Sequence, residues 1–282
     1  MDQTKRHDLE LTAARARLLA MEMVYTAASG HIGGSLSSID ILTVLYFDRL
    51  RIDPAQPKNP ARDRFVLSKG HCTPALYSVL ALRGYFDPSE LKLFRSIDGH
   101  YSGHPDMTYV PGVDMSTGSL GQGISAAVGM ALAGKADKKD YRVYALLGDG
   151  ETQEGQVWEA AMSAHKYALD NLCAIVDVNG LQIDGRTADV MPTEPLDKRF
   201  EAFGWYPIHA DGHSVESLTA ALDEAGRVIG RPAVILAKTV KGKGVSFMEN
   251  DAGWHGKAPN GEQYTKARAE LEAALAEKEG NH

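Results

Sequence analysis

The sequence predicts an α/β protein built on a mainly parallel β-sheet with helices on both faces. Apolar, strand-like runs alternate along the chain with longer segments of helical periodicity, which is typical of parallel sheets. Glycine-containing turns that carry acidic, amide or histidine side chains follow several of these runs. A chain of 282 residues suits one large doubly wound sheet. We therefore expect residues 1–282 to form a single domain.

The first half of the chain predicts a series of helices and one strand. Residues 1–23 read as an amphipathic helix. The glycines of the following SGHIGG sequence predict a loop, after which an apolar helix resumes at Ile39 to Phe47. Phe65 to Leu67 is a short candidate strand, and the helix that begins at Pro74 is expected to end near Gly84.

The second half predicts a complete strand–helix–strand unit. Its strands are Val143 to Leu147 and Leu172 to Val178, with a helix at Glu154 to Ala168 between them. The other expected elements are a small-residue helix at Ile124 to Ala133, strands at Trp205 to Ala210 and Ala233 to Ala237, a helix at Val215 to Ile229, and a helical tail over 265–282 that ends in polar residues.

Acidic and amide side chains follow the two strands of that unit. Gly148-Asp149-Gly150 comes directly after the first strand, and Asn179 follows the second. A right-handed crossover returns the second strand parallel to the first and usually close to it, so both groups emerge at one carboxyl edge. The Asp149 carboxylate, the Asn179 amide oxygen and the Leu181 carbonyl are hard oxygen donors, which suit Mg²⁺ or Ca²⁺ rather than zinc.

The same turn favours an anionic ligand. Mg²⁺ usually completes its octahedron with phosphate oxygens and water. The glycines that flank Asp149 allow phosphates to approach the backbone closely. A diphosphate is therefore expected here. The alternative is that Gly-Asp-Gly is an ordinary tight turn after a buried strand, and the distant Asn179-Gly180 pair favours the metal site over that alternative.

Histidines are the second group of candidate site residues. His31, His71, His104 and His255 all lie in glycine-containing connections, and α/β sheets bind ligands outside the carboxyl ends of their strands. For any single one, a surface or hydrogen-bonding role is the ordinary alternative. His100 shares a loop with His104 and is ambiguous. No catalytic role is expected for the remaining histidines, which are His7, His165, His209, His213 and His282.

Charge and composition narrow the classes of function. A net charge of −7 argues against nucleic-acid binding, which needs clustered Lys and Arg. The one basic run, KTVKGKG over 238–244, is interpreted as a solvated loop that could also meet an anionic substrate. No apolar stretch is long enough to span a membrane, and residues 1–23 lack the apolar segment of a secretory signal. Cys72 and Cys173 have no metal-site or disulfide-framework spacing, so a reducing cytoplasm is expected.

Several motifs occur together in an informative order: SGHIGG, SKGHCTPALY, SGHPD, MSTGSLGQGIS and GDGETQEGQVWEA. Together they resemble the thiamine-diphosphate-dependent transketolases, specifically their amino-terminal, diphosphate-binding half, from about Ser29 to about Gly256. Acetolactate synthases and pyruvate decarboxylases share the GDG motif but not this set of histidine loops. The resemblance implies the thiamine-diphosphate-binding fold, with residues 1–282 as one diphosphate-binding domain of the transketolase type.

The resemblance also assigns cofactor and metal contacts. Asp149, Asn179 and the Leu181 carbonyl would hold Mg²⁺, or Ca²⁺ or Mn²⁺, against the diphosphate of the cofactor. The residues expected to contact thiamine diphosphate are His71, Gly118, Ser119, Leu120, Gly148, Asp149, Gly150, Glu154, Asn179, Leu181 and His255.

Catalytic and interface roles follow from the same resemblance. His31, His71, His104 and His255 would be catalytic, because histidine can donate, accept or shuttle a proton near neutral pH. Glu154 and Glu159 match acidic residues of the family's subunit interface. A solvated helix face is the alternative for both glutamates.

The implied reaction transfers a two-carbon ketol unit from a ketose, commonly a sugar phosphate, to an aldose, with the carbon–carbon chemistry supplied by the cofactor. In the family, the pyrimidine-binding glutamate and the sugar-phosphate-binding residues lie in later domains, whereas this sequence stops at His282. We therefore expect a split enzyme, in which a separate carboxyl-terminal subunit carries the pyrimidine-binding domain. An α2β2-like assembly is expected.

Other functions remain open from the sequence. A 1-deoxyxylulose-phosphate synthase, a dihydroxyacetone synthase or a specialised sugar transketolase would use similar chemistry, although the SKGHCTPALY and GSLGQG loops favour a transketolase. A non-catalytic thiamine-diphosphate-binding module would need the diphosphate ligands but not the histidine set. An unrelated nucleotide-binding α/β protein is disfavoured, because the chain has no GxxxxGK[ST] loop.

Overall fold

A five-stranded sheet forms the centre of the protein, and every pairing in it is parallel. The computed structural model describes residues 1–280. The strands are β1 (Arg64–Leu67), β2 (Val143–Gly148), β3 (Leu172–Val178), β4 (Leu181–Gln182), β5 (Gly185–Arg186), β6 (Tyr206–Asp211) and β7 (Ala233–Lys238). The sheet has the order β1-β2-β3-β7-β6, and β4 pairs with β5 in a short antiparallel hairpin. The predicted parallel α/β sheet is confirmed.

Helices cover both faces of this sheet. They are α1 (Gln3–Thr26), α2 (Ile32–Val44), α3 (Thr73–Arg83), α4 (Gln122–Ala136), α5 (Gly155–Lys166), α6 (Thr187–Val190), α7 (Leu196–Ala202), α8 (Val215–Arg227) and α9 (Gly261–Gly280). Local sequence sets several of their ends. The Asp2 side chain accepts a hydrogen bond from the Lys5 backbone at the start of α1. Gly84, at φ 94°, provides the left-handed residue that ends α3.

The side chains of the central strands alternate between two hydrophobic cores. In β3, Cys173 and Ile175 pack into the core formed with α1, α2, α3 and α8. Leu172, Ala174 and Val176 pack into the core formed with α4, α5 and α7. Because both faces are covered, the strand reads as a continuous apolar run rather than an alternating one. The predicted helices on both faces are confirmed.

The start of α2 corrects one prediction. The glycines of SGHIGG were expected to form a loop, yet the helix begins at Ile32 and contains Gly33 and Gly34. A β-carbon at Gly33 would lie 2.8 Å from the Trp254 carbonyl oxygen, and one at Gly34 would lie 2.9 Å from the Cys72 sulfur. These glycines therefore serve close packing of a buried helix and not a turn.

The chain path creates a crevice at the carboxyl edge of the sheet. After β3 the chain crosses to the outer strand β6 and then returns to β7, which pairs with β3. Strand order thus reverses beside β3, which is where doubly wound sheets bind their ligands. Gly148 and Asp177 are paired in register at the ends of β2 and β3. The two predicted turns consequently lie next to each other.

No helix within residues 1–280 combines the length and apolar character that crossing a membrane requires.

Candidate active site

A cavity of ≈ 160 Å³ opens at the carboxyl edge of β2 and β3. Its lining includes most of the residues that the sequence singled out for cofactor contact: His71, Leu120, Gly148, Asp149, Gly150, Glu154, Asn179, Leu181 and His255. The other two, Gly118 and Ser119, lie in the loop before α4. Gly118 has φ 153°, and a β-carbon there would lie 3.1 Å from the His104 ring. The loop therefore needs glycine where it passes that histidine.

The predicted metal ligands are held in place by backbone hydrogen bonds. The two Asp149 carboxylate oxygens accept from the amides of Gly150 at 2.8 Å and Gly180 at 2.6 Å. The Asn179 amide oxygen accepts from the Leu181 backbone at 3.0 Å. The GDG turn and the start of the β4–β5 hairpin are thus tied together. Asp149, Asn179 and Leu181 all line the same cavity.

The donor chemistry of this group fits a hard divalent cation. Within residues 1–280, no cluster of three or more His, Cys, Asp or Glu side chains could hold a metal ion. A metal here would therefore need amide, carbonyl and phosphate oxygens as well, which is how Mg²⁺ is usually bound. Burial, and next the Asp177 carboxylate, raise the pKa of Asp149 to about 6. A cation beside Asp149 would relieve that unbalanced negative charge.

A buried ion pair lies at the cavity, which Lys69 lines, and it was not predicted from the sequence. The Lys69 ammonium contacts the Asp177 carboxylate, and the exposed fractions of the two residues are 2% and 0%. Although burial lowers the pKa of Lys69, Asp177 raises it above its ordinary value. Ser37 also donates to Asp177 at 2.7 Å. The sequence did place both residues close to predicted site residues, since Lys69 lies two positions before His71 and Asp177 two positions before Asn179.

A second buried lysine corrects the interpretation of the basic run. Lys241 is only 2% exposed and lines the cavity, so the interpretation as a solvated loop is wrong at this position. Its ammonium lies 3.1 Å from Nδ1 of His255. No carboxylate in the described part of the chain forms an ion pair with it, and burial, followed by the charge of Lys69, lowers its pKa. Lys241 is thus a buried cation that an anionic ligand would stabilise.

Four histidines converge above these lysines. The ring of His31 lies 5.2 Å from that of His71, 5.4 Å from His255 and 6.2 Å from His104, between centroids. His71 and His255 are 5.0 Å apart. Nδ1 of His31 is buried and has no hydrogen-bond partner among residues 1–280. The structure therefore brings together all four histidines proposed from the sequence, with an unsatisfied polar atom in their midst.

The environment keeps these histidines neutral. Burial, followed by the nearby Arg95, lowers the pKa of His31 to about 4. Burial, followed by Lys241, lowers that of His255 to about 3. The pKa values of His71 and His104 are lowered as well, mainly by burial. Neutral imidazoles can each accept a proton or donate the one they carry, so the cluster is suited to proton transfer.

Lowering the pH is expected to destabilise the fold partly through these groups. The pKa of histidine in an unfolded chain is about 6.5, whereas burial lowers the pKa values of folded His31 and His255 to about 4 and about 3. Their contribution to stability is present above the unfolded value and is lost as the pH falls through the folded values. A His31→Asn/His255→Asn double variant should therefore lose less free energy of unfolding than the wild type between about pH 7 and about pH 4. Equal losses in urea denaturation would contradict this assignment.

Glu151 is a further buried group that the sequence did not reveal. Its carboxylate accepts from the Ser68 hydroxyl at 2.5 Å, the Gly121 amide at 3.0 Å and the Gly148 amide at 3.0 Å. These donors lie just after β1, just before α4 and at the end of β2. Glu151 follows the GDG turn directly, which was the only indication of its importance in the sequence. Its hydrogen bonds tie these three segments of the carboxyl edge together.

We expect Glu151→Ala to lower the free energy of unfolding by about 3 kcal/mol, since three buried donors lose their acceptor. Chemical denaturation measures the change. Glu159→Ala is the matched control, because Glu159 is exposed on α5 and such substitutions usually change stability by less than about 0.5 kcal/mol. Similar stabilities for the two variants would show that Glu151 does not anchor the loops.

Among residues 1–280, the remaining histidines and the two glutamates predicted to lie at an interface are outside this cluster. His100 stacks on Tyr109 with ring centroids 5.1 Å apart. His165 lies in α5 and His209 in β6, whereas His213 is hydrogen-bonded to Asp40. His282 is outside the described residues. Glu154 and Glu159 are both exposed at the start of α5, and their interface role stays a prediction.

Comparison with known proteins identifies the family of this chain. A family described as "Transketolase, thiamine diphosphate binding domain" matches residues 9–276. The chain belongs to the transketolase family. The alternative of an unrelated nucleotide-binding protein is thereby set aside.

Two relatives of this transketolase-family chain are matched along nearly their whole length. One is a subunit of the apulose-4-phosphate transketolase of Phocaeicola vulgatus, which is 44% identical over 275 residues, or 97% of this chain and 98% of that protein. The other is the 6-deoxy-6-sulfo-D-fructose transketolase subunit SqwG of Clostridium sp., which is 46% identical over 265 residues, or 94% and 96% of the two chains.

The fold is also that of a longer enzyme. The crystal structure of the transketolase of Campylobacter jejuni superposes with a TM-score of 0.89 at 34% identity. The match covers 99% of this chain but 46% of that one. This transketolase-family chain thus spans about half the length of the Campylobacter enzyme and nearly all of the two subunits.

Proposed function

We propose that this chain is the amino-terminal, thiamine-diphosphate-binding subunit of a split transketolase, and that it transfers two-carbon ketol units together with a separate carboxyl-terminal subunit. The observation that carries this proposal is the alignment along 98% and 96% of two relatives named as transketolase subunits. The names of those relatives contain a phosphorylated and a sulfonated sugar. We propose anionic sugars, sugar phosphates above all, as substrates of this chain.

Thiamine diphosphate and Mg²⁺ are the proposed cofactors, and Ca²⁺ or Mn²⁺ could substitute for Mg²⁺. Asp149, Asn179 and the Leu181 carbonyl would hold the metal, and Lys241 would face the diphosphate. The glycines that flank Asp149 leave room for phosphate oxygens near the backbone. When bound, thiamine diphosphate supplies the carbon–carbon bond chemistry. The fit is supported by two charged groups that line the cavity, the Asp149 carboxylate, whose pKa burial raises, and the Lys241 ammonium, whose pKa burial lowers.

The proposed task of the histidine cluster is to position the sugar and move its protons. Neutral His31, His104 and His255 can each donate to or accept from a sugar hydroxyl as its oxygen gains or loses a proton. His71 lines the cavity beside Lys69 and Asp149, so it is placed to contact the cofactor.

A partner subunit with the pyrimidine-binding domain would complete the site, and an α2β2-like assembly is part of the proposal. The exposed Glu154 and Glu159 at the start of α5 are the proposed contacts between subunits. A cytoplasmic location is supported by Cys72 and Cys173, which are both free and buried. Residues 1–282 are proposed to act as a single domain.

The decisive assay is transfer of a two-carbon unit from xylulose 5-phosphate to ribose 5-phosphate with thiamine diphosphate and Mg²⁺. We expect activity when this chain is mixed with its carboxyl-terminal subunit and none with either chain alone. High activity of the isolated chain would contradict the split enzyme. Absence of turnover with these and with sulfonated ketoses would contradict the transketolase function.

A further inference from the structure

A chain of three polar side chains runs from α1 to the loop after β7, outside the cavity. Arg17 donates to the Asp40 carboxylate at 2.5 Å. Nδ1 of His213 lies 2.7 Å from the same carboxylate oxygen. On the far side of the ring, the Val240 backbone amide donates to Nε2 of His213 at 2.8 Å. Three separate elements are thereby linked to the residue that precedes Lys241.

The hydrogen bonds define the protonation of the ring. Since the Val240 amide is a donor, Nε2 of His213 must be the acceptor and carries no proton. Nδ1 then carries the proton and donates it to Asp40. Asp40 is 6% exposed, and although burial raises its pKa, Arg17 and His213 hold it below the usual value. The carboxylate is therefore ionised and fixes the orientation of His213.

We propose that His213 is a positioning residue, which holds the Val240 amide and thereby places Lys241 beside His255 in the diphosphate cavity. This inference rests on the proposed function, because it concerns a lysine that would face the diphosphate. The sequence predicted no catalytic role for His213, and this residue does not line the cavity that contains Asp149 and Lys241. Its effect would act through the backbone.

The loop needs such an anchor because the buried charge of Lys241 favours its movement. A buried ammonium without a carboxylate partner gains free energy by moving toward water. Fixed backbone contacts must oppose that movement. Two of them flank Lys241: the Val240 amide bond to His213 and the bond of 2.9 Å from the Gly242 amide to the Gly33 carbonyl. Thr239 is also tied through its side chain to Asp177.

Two substitutions separate the two bonds of the imidazole. His213→Asn keeps a donor at the position of Nδ1, so the Asp40 bond can survive, but it has no acceptor where Nε2 was. His213→Gln places an oxygen near the Nε2 position and can still accept from Val240. Asparagine should therefore release the loop, whereas glutamine should retain it. Both variants stay polar, and each keeps one of the two bonds: asparagine the bond to Asp40 and glutamine the bond to Val240.

Two measurements test the positioning role on this chain together with its partner subunit. The first is the rate at which acetic anhydride acetylates Lys241, followed by mass spectrometry, and the second is the Kd of thiamine diphosphate with Mg²⁺. For His213→Asn we expect the acetylation rate and the Kd each to rise roughly five- to tenfold, because the loop loses one hydrogen bond. His213→Gln should stay within about twofold of the wild type.

Unchanged Lys241 acetylation in His213→Asn would overturn the proposal, as would faster acetylation with an unchanged Kd. Equal defects in the asparagine and glutamine variants would also overturn it, because they would point to general loosening. A wild type that does not bind thiamine diphosphate would contradict the proposed function. The acetylation rates would still decide whether His213 positions Lys241.

Discussion

Replacing Lys69 with methionine is expected to lower the free energy of unfolding by about 3–5 kcal/mol, because the change leaves the Asp177 carboxylate buried without its counter-ion. Asp177 is fully buried between β2 and β7, and Lys69 is its ion-pair partner. Urea denaturation followed by circular dichroism measures the loss. A variant as stable as the wild type would show that the pair contributes nothing to folding.

Lys241→Met is the matched control for this prediction. Both lysines are 2% exposed, but Lys241 has no carboxylate partner within residues 1–280. Its removal should leave stability unchanged or higher, since an unpaired buried charge disappears. The Kd of thiamine diphosphate should instead rise roughly tenfold or more, because the variant loses a charged hydrogen bond to the diphosphate. Lys69→Met should therefore lower stability, whereas Lys241→Met should weaken cofactor binding. Equal destabilisation by both would contradict the view that only Lys69 is paired with a buried carboxylate.

Replacing His31 with asparagine is expected to reduce kcat for ketol transfer by about 10²- to 10⁴-fold, the usual effect of removing a proton-transfer group. His31 lies at the centre of the cluster, within 6.2 Å of the other three rings. The Kd of thiamine diphosphate should change little, because His31 does not line the cavity between Asp149 and Lys241.

Steady-state transfer assays with the partner subunit present measure this effect. His209→Asn is the control, because the side chain of His209 is 70% exposed on β6 and should leave kcat unchanged. If kcat of the His31 variant equals that of the wild type, the cluster does not move protons. If the Kd rises as much as kcat falls, His31 binds the cofactor instead.

The geometry of the proposed metal site was accessible from the sequence for a physical reason. Asp149 and Asn179 each follow a strand of one βαβ unit, and the handedness of such crossovers leaves few arrangements of the two strand ends. The glycine-containing loops made the four histidines candidates, whereas their common role at one site could be anticipated only through the resemblance to transketolases. They lie far apart in the sequence, and periodicity carries no information about which loops meet.

The buried charges were beyond sequence reasoning. Lys241 lies in a run of lysines and glycines that reads as solvated, and it is buried only because loops from distant elements close around it. The helical state of Gly33 was missed for a related reason. Glycine favours loops locally, whereas here the approach of the Trp254 carbonyl requires a residue without a side chain. Both misses arise where tertiary packing overrides local preference.

The central claim is that the carboxyl edge of β2 and β3 binds thiamine diphosphate through a divalent metal held by Asp149. The most direct measurement is calorimetric titration of thiamine diphosphate into this chain with its partner subunit, in Mg²⁺ and in excess chelator, for the wild type and for Asp149→Ala. We expect binding that depends on Mg²⁺ in the wild type and is lost in the variant. Tight binding in Asp149→Ala that still depends on the metal would contradict the assignment.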